Sequence, residues 1–232
     1  MLFRSTDYAP WDFKDTPEDR YPLLLHYPYF QLYRKQVVKQ ADLMLAMYLR
    51  PDAFSAEQKA RNFAYYEPLT VRDSSLSACT QAVMAAEVGH LQLAYDFLAE
   101  AAFMDLQDRE HNTKDGLHIA SLAGAWTALV GGFGGMRHMA GVLSFSPRLP
   151  PGIVGLSFRL RYRGRIVHVE ARSGAARYSL LSGDPLPITH HGQQVKLGRE
   201  TVTMDIPPIE PLPSPSQPLG RAPLARRSRS EG

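Results

Sequence analysis

The apolar residues of this chain change period once, and that change limits what it can fold into. Leu76, Cys79, Thr80, Val83, Met84 and Val88 recur at the three-and-four spacing of one buried helix face. Eighty residues on, Phe158, Leu160 and Tyr162 alternate with Arg159, Arg161 and Arg163, the period of a strand with one side in water. Ser146-Pro-Arg-Leu-Pro-Pro-Gly152 separates the two regimes and reads as a linker. Helices first and strands afterwards predict an α+β chain of more than one unit.

Punctuation places the elements. Residues 1–33 read as irregular, because Pro10, Pro17, Pro22 and Pro28 interrupt any long helix. The aromatics between them, Trp11 to Tyr33, either pack that stretch onto a neighbour or line a sugar-stacking wall. Helices are predicted over Arg34–Leu49, from the capping box Ser55-Ala-Glu-Gln58 to Tyr66, from Asp73 to Val88 with Gly89 as the stop, from His90 or Leu91 to Leu106, and over Gly116–Phe133. Their many alanines allow close approach. Leu91 and Leu98 lie on a different side from Leu93, Phe97 and Met104, so this helix is sandwiched. Five helices cannot cover one another on both sides, and the set reads as an arc of something larger. The Arg163-Gly164 turn joins two strands, and further strands are expected at 177–181, 186–189, 193–197 and 201–205, in an antiparallel unit whose arginine stripe faces water. The predicted partition is 1–33, 34–141, 142–206 and a Pro/Ser/Arg tail at 207–232, expected to be disordered.

A formal charge of +3 with an arginine cluster in the tail (Arg221, Arg226, Arg227, Arg229) leaves the rest near neutral and argues against nucleic acid as a partner. No apolar run approaches the roughly 20 residues that span a bilayer, the first residues do not resemble a signal peptide, and one cysteine permits no internal disulfide. The expected compartment is cytoplasmic.

Three places carry chemistry. In Thr70-Val-Arg-Asp-Ser-Ser-Leu-Ser77, Asp73, Ser74 and Ser75 stand at a helix N-terminus, where unpaired N–H groups carry partial positive charge. Either one of these side chains caps the helix, or the hydroxyls and N–H groups cradle an anion such as phosphate. Lys39 and Gln40 fall on the predicted Arg34–Leu49 helix; Lys39 either snorkels to solvent or meets a ligand. His118, at the first turn of another helix, is structural or forms a second donor site, with the helix dipole disfavouring its cation. Cys79 reads as a buried, inert thiol. No metal or cofactor site is expected.

Lys35-Gln-Val-Val-Lys-Gln-Ala-Asp42, Tyr66-Glu-Pro-Leu-Thr-Val-Arg-Asp-Ser-Ser-Leu-Ser77 and Asn112-Thr-Lys-Asp-Gly-Leu-His-Ile-Ala-Ser121, followed by Ala125-Trp126, closely resemble glycoside hydrolase family 65. That resemblance, over Trp11 to Asp205, implies the closing arc of an (α/α)6 barrel followed by a small C-terminal β-sandwich. It implies that Lys39 and Gln40 hold a substrate sugar, that Ser74, Ser75 and His118 line a phosphate site, and that inorganic phosphate is the co-substrate. The reaction implied is inverting phosphorolysis of an α-linked disaccharide (maltose, trehalose or kojibiose) to glucose 1-phosphate, in a family whose members are often dimeric. The family's acid glutamate lies farther upstream than the 38 residues that precede Lys39, and Glu67, Glu87 and Glu100 do not match it, so no general acid is assigned. The expectation is a C-terminal portion, inactive alone, from a truncated gene, a mis-called start or a split enzyme whose N-terminal half is encoded separately. A family hydrolase using water, and a non-catalytic protein- or glycan-binding module, are the alternatives.

Overall fold

The computed structural model describes residues 8–108, 112–209, 212, 213, 215, 217 and 219–223. The chain opens with β1 (Ala9–Pro10), the single-turn helices α1 (Leu23–His26) and α2 (Tyr29–Leu32), and β2 (Lys35–Gln36), which pairs in parallel with β1. Proline precedes both α1 and α2, so the expected irregular stretch contains two short turns of helix. Trp11, Phe13, Tyr21 and Tyr27 pack around Leu23, Leu32 and Val71. Tyr29, Phe30 and Tyr33 stay exposed.

The Arg34–Leu49 helix is shorter than its sequence predicts. Only α3 (Asp42–Leu49) is helical, because Val38 is drawn into a parallel bridge with Thr70: its N–H donates to Leu69 O at 2.8 Å and its carbonyl accepts from Val71 N at 2.9 Å. Lys39 and Gln40 therefore sit on a bend ahead of α3, with Lys39 exposed, and not on a buried helix face. Then come α4 (Ala56–Tyr66), opened by the reciprocal Ser55–Gln58 capping box, α5 (Ser77–Glu87), α6 (Leu91–Ala102) and α7 (Ile119–Thr127), which runs on as a π-helical turn over Ala128–Phe133. Gly89, at φ +97°, ends α5 as expected. Alanines 78, 82, 85, 86, 94 and 101 are fully enclosed, and Leu91, Leu93, Phe97 and Leu98 are buried around α6. Between Phe63, Met84 and Phe97 lies the helical core.

Ten strands are described. β3 (Arg137–Met139) and β4 (Val142–Phe145) form a hairpin that the sequence reading missed; Ala140 and Gly141 both have positive φ in its turn. β5 (Gly155–Tyr162), β6 (Arg165–Arg172), β7 (Ala175–Ser182), β8 (Leu186–His190), β9 (Gln193–Leu197) and β10 (Val202–Asp205) follow at the expected places. They make two four-stranded sheets, β10-β7-β6-β5 and β3-β4-β8-β9, around one core that includes Phe145, Val167, Val169, Tyr178, Ile188 and Leu197. One departure from an all-antiparallel unit is the parallel pair β4–β8. Arg163 (φ +48°) and Gly164 (φ +76°) make the tight turn between β5 and β6, and Arg159 and Arg161 face solvent.

Inside this core, His190 Nε2 lies 2.9 Å from Asp205 O, which can only accept, so Nδ1 is the nitrogen that accepts from the Tyr178 hydroxyl at 2.7 Å. Burial, reinforced by electrostatic interaction with His190 and Arg148, lowers the pKa of the neighbouring His191 to about 4. An unfolded histidine titrates near 6.5, so between the two values the unfolded chain binds more protons than the folded one. The stability that neutral His191 contributes is present above about pH 6.5 and is lost as pH falls toward 4. Urea midpoints measured across that window are expected to fall with pH, and His191→Gln is expected to flatten the slope; an unchanged slope would refute this assignment.

Several of the described residues beyond 207 contact the body. Leu212 N donates to Gly89 O at 3.0 Å, Pro213 O lies 3.1 Å from His90 Nδ1, and Arg221 is 1% exposed. The composition of this stretch is that of a disordered segment, yet one buried arginine and a few backbone contacts hold it. Arg226, Arg227 and Arg229 lie outside the described residues.

Candidate functional site

Two contacts fix how α5 and α7 run. A Cβ added at Gly124 would meet Cys79 Sγ at 2.5 Å, and one added at Gly132 would meet Val83 Cα at 3.3 Å and Ala86 Cβ at 3.7 Å. Moving forward along one helix moves forward along the other, so the two are parallel and both begin at the same end of the body. Ser74 and Ser75 stand just before one start, and His118 is the residue that opens the other. Cys79, pressed against Gly124, is a buried free thiol whose pKa is raised by burial, which leaves it inert.

The start of α5 carries no side-chain cap. Its N-cap position is Leu76, Ser77 N donates to Ser74 O at 3.0 Å, and Ser74 Oγ is only within 3.4 Å of Leu76 N. Asp73, one expected cap, is turned away: its Oδ2 accepts from Leu24 N at 3.0 Å and ties the first short helices to this loop. Burial raises the Asp73 pKa, against the pull of the Leu24 and Leu23 N–H groups and of Lys39. The charge of Lys39 is thus felt one residue from Ser74. The Val38–Thr70 bridge is what brings the two loops together, and Gln40, one residue on, donates to Asp42 Oδ1 at 2.8 Å.

His118 is held by Asp105, which carries no sequence motif. Asp105 Oδ2 accepts from His118 N at 2.8 Å, and Asp105 Oδ1 lies 2.6 Å from Nδ1. A carboxylate can only accept, so Nδ1 carries the proton and Nε2 is left to meet a ligand. A histidine thirteen residues from an aspartate has no local signature, since the pairing is made by the return of the chain through 103–118. Asp105→Asn removes one of the two acceptor oxygens. Histidine ¹⁵N spectra are expected to lose the single Nδ1–H tautomer, and any anion affinity that depends on Nε2 is expected to fall about 10- to 100-fold, the worth of a hydrogen bond to a charged group. A tautomer unchanged in the variant would show that Asp105 does not orient the ring.

Around this end the surface is apolar. Leu76, Leu117, Ile119, Leu122 and Trp126 are 40–64% exposed, the last three along one side of α7. A cavity of about 560 Å³ lies elsewhere, between Arg148–Val154 and Arg172–Gly174. Ser74, Ser75 and His118 are half-buried. Among the described residues no cluster of His, Cys, Asp or Glu could hold a metal ion, and no helix is long and apolar enough to cross a membrane.

Residues 3–127 match the model of the glycosyl hydrolase family 65 central catalytic domain, and residues 136–197 match that of the family's C-terminal domain. The chain belongs to glycosyl hydrolase family 65. It is 55% identical over 229 residues to an uncharacterized glycosyl hydrolase of Mycobacterium leprae, covering 97% of this chain and 29% of that one. It is 43% identical over 183 residues to an α,α-trehalose phosphorylase of Thermoanaerobacter brockii, covering 79% and 24%. A solved structure described as "Putative kojibiose phosphorylase from human microbiome" superposes with a TM-score of 0.80 at 28% identity, covering 86% of this chain and 28% of that one. The chain thus spans under a third of the length of these family 65 relatives.

Glu67, Glu87 and Glu100 are each paired with a cation. Glu67 lies 3.5 Å from both Arg221 guanidinium NH2 groups, Glu87 is 2.7 Å from Lys59 Nζ and also pairs with Arg137, and Glu100 is 3.1 Å from Arg72 Nε.

Proposed function

We propose that this chain provides the sugar- and phosphate-binding wall of an inverting α-glucoside phosphorylase, with its helices as the closing arc of an (α/α)6 barrel and its two sheets as the C-terminal β-sandwich. The observation that carries this reading is the parallel course of α5 and α7, which sets Ser74, Ser75 and His118 at one end of the body, where the Val38–Thr70 bridge also brings Lys39 and Gln40. In this reading Lys39 and Gln40 hold the glucosyl hydroxyls. The N–H groups at the start of α5, the two serine hydroxyls and His118 Nε2 hold inorganic phosphate. Phosphate is already an anion, so its oxygen attacks the anomeric carbon without a carboxylate base. The glycosidic C–O bond breaks with inversion, and the leaving oxygen takes its proton from an acid supplied outside this chain.

The exposed apolar side of α7 supports a complementary N-terminal half as partner and counts against a self-sufficient binding module. The test mixes this chain with the separately produced N-terminal portion of its M. leprae relative and supplies trehalose, maltose or kojibiose. Glucose 1-phosphate is expected only with phosphate present, and Ser74→Ala with Ser75→Ala is expected to raise the phosphate KM well above any change in sugar KM. Glucose release undiminished without phosphate would instead establish the hydrolase, a reading kept open by the M. leprae relative's description.

A further inference from the structure

We propose that Arg221 is a positioning residue for the serine loop. Arg221 is 1% exposed, and its guanidinium donates to Glu67 O at 2.7 Å and to Thr70 O at 2.8 Å while facing the Glu67 carboxylate. Its own carbonyl accepts from Arg72, whose Nε in turn donates to Glu100 at 3.1 Å. Arg72 holds φ at +58°, a left-handed conformation that a non-glycine residue keeps only when its surroundings hold it there. The next three residues are Asp73, Ser74 and Ser75. The guanidinium therefore clamps both ends of the turn Glu67–Thr70, and the Arg221 backbone carbonyl, through Arg72, fixes the direction in which the serines leave it. Gln217 on the same segment also donates to Glu67. This anchor lies beyond residue 197, where the match to the family's C-terminal domain ends.

The proposal rests on the phosphate reading for its functional half, and the experiment separates the two. In the 232-residue chain, Arg221→Lys, and Glu67→Gln combined with Arg221→Met to avoid a lone buried charge, are compared with wild type by hydrogen exchange with and without inorganic phosphate. Without ligand, amides 70–77 are expected to exchange about tenfold faster or more in the double variant, while those of β5–β7 stay unchanged; Arg221→Lys falls between. Uniform acceleration, or no change at 70–77, would overturn the clamp. With phosphate, wild type is expected to gain protection at 74–79 that the double variant loses. Protection equal in both overturns the positioning role; protection absent from wild type overturns the phosphate reading and leaves the clamp judged by the ligand-free comparison.

Discussion

Gly135→Ala is expected to destabilise the chain by roughly 2–6 kcal/mol, from forcing a side chain into a left-handed backbone and from overpacking. Gly135 has φ +60°, and an added Cβ would stand 2.1 Å from Ser146 O, 2.4 Å from Ser146 C and 2.6 Å from Ser146 N. All three are backbone atoms, and they cannot move aside. Ser146 N donates to Gly135 O at 3.2 Å, and Arg148 N donates to Phe133 O at 2.8 Å, so the segment joining the helices to the strands is stitched to the end of the π-helical turn. Domains of this kind hold only about 5–15 kcal/mol in total. Urea unfolding of the variant is the measurement, with Gly198→Ala as the control because nothing lies within 4 Å of a Cβ there. A Gly135→Ala midpoint equal to the control's would show that the two segments do not meet this way.

Glu87→Ala is expected to cost about 3–5 kcal/mol, the penalty for leaving buried partners of a charge uncompensated. Glu87 ends α5 and pairs with Lys59 on α4 at 2.7 Å and with Arg137 on β3. Arg148 from the joining segment adds a bond of 2.6 Å to its backbone carbonyl. Lys59 is 7% exposed and loses this carboxylate once Glu87 is gone. One side chain thus bolts two helices to the strand unit. Burial pushes the Glu87 carboxyl up, but Arg137 and Lys59 more than reverse it, so its pKa lies below the ordinary value. Its contribution is complete above the unfolded glutamate value of about 4.3 and is lost as pH falls through the lower folded one. Glu87→Gln is expected to remove that acid-limb slope. A slope retained in Glu87→Gln would mean that another carboxylate carries it.

These two residues also explain why 146–152 is not the free linker that its three prolines suggest. Proline denies helix and strand, but it does not deny packing: Arg148 and the 133–135 carbonyls give that segment fixed partners. The stretch from 207 repeats the lesson. Its composition buries too little apolar surface to fold by itself, yet Leu212, Pro213, Gln217 and Arg221 each find a partner on a surface already formed.

The sequence alone determined what depends on near neighbours. Helical period, the Ser55–Gln58 box, the Gly89 stop and the Arg163-Gly164 turn are local, and so were the strands from β5 to β10. Tertiary structure decided what depends on chain segments meeting from afar. The Val38–Thr70 bridge cut short a helix whose composition favoured it and set Lys39 and Gln40 on a bend. The return through 103–118 gave His118 its aspartate, and the glycine contacts between α5 and α7 made them parallel. Backbone hydrogen bonds and small-residue contacts between distant segments leave no periodic trace in sequence, because their partners are chosen by the fold and not by spacing.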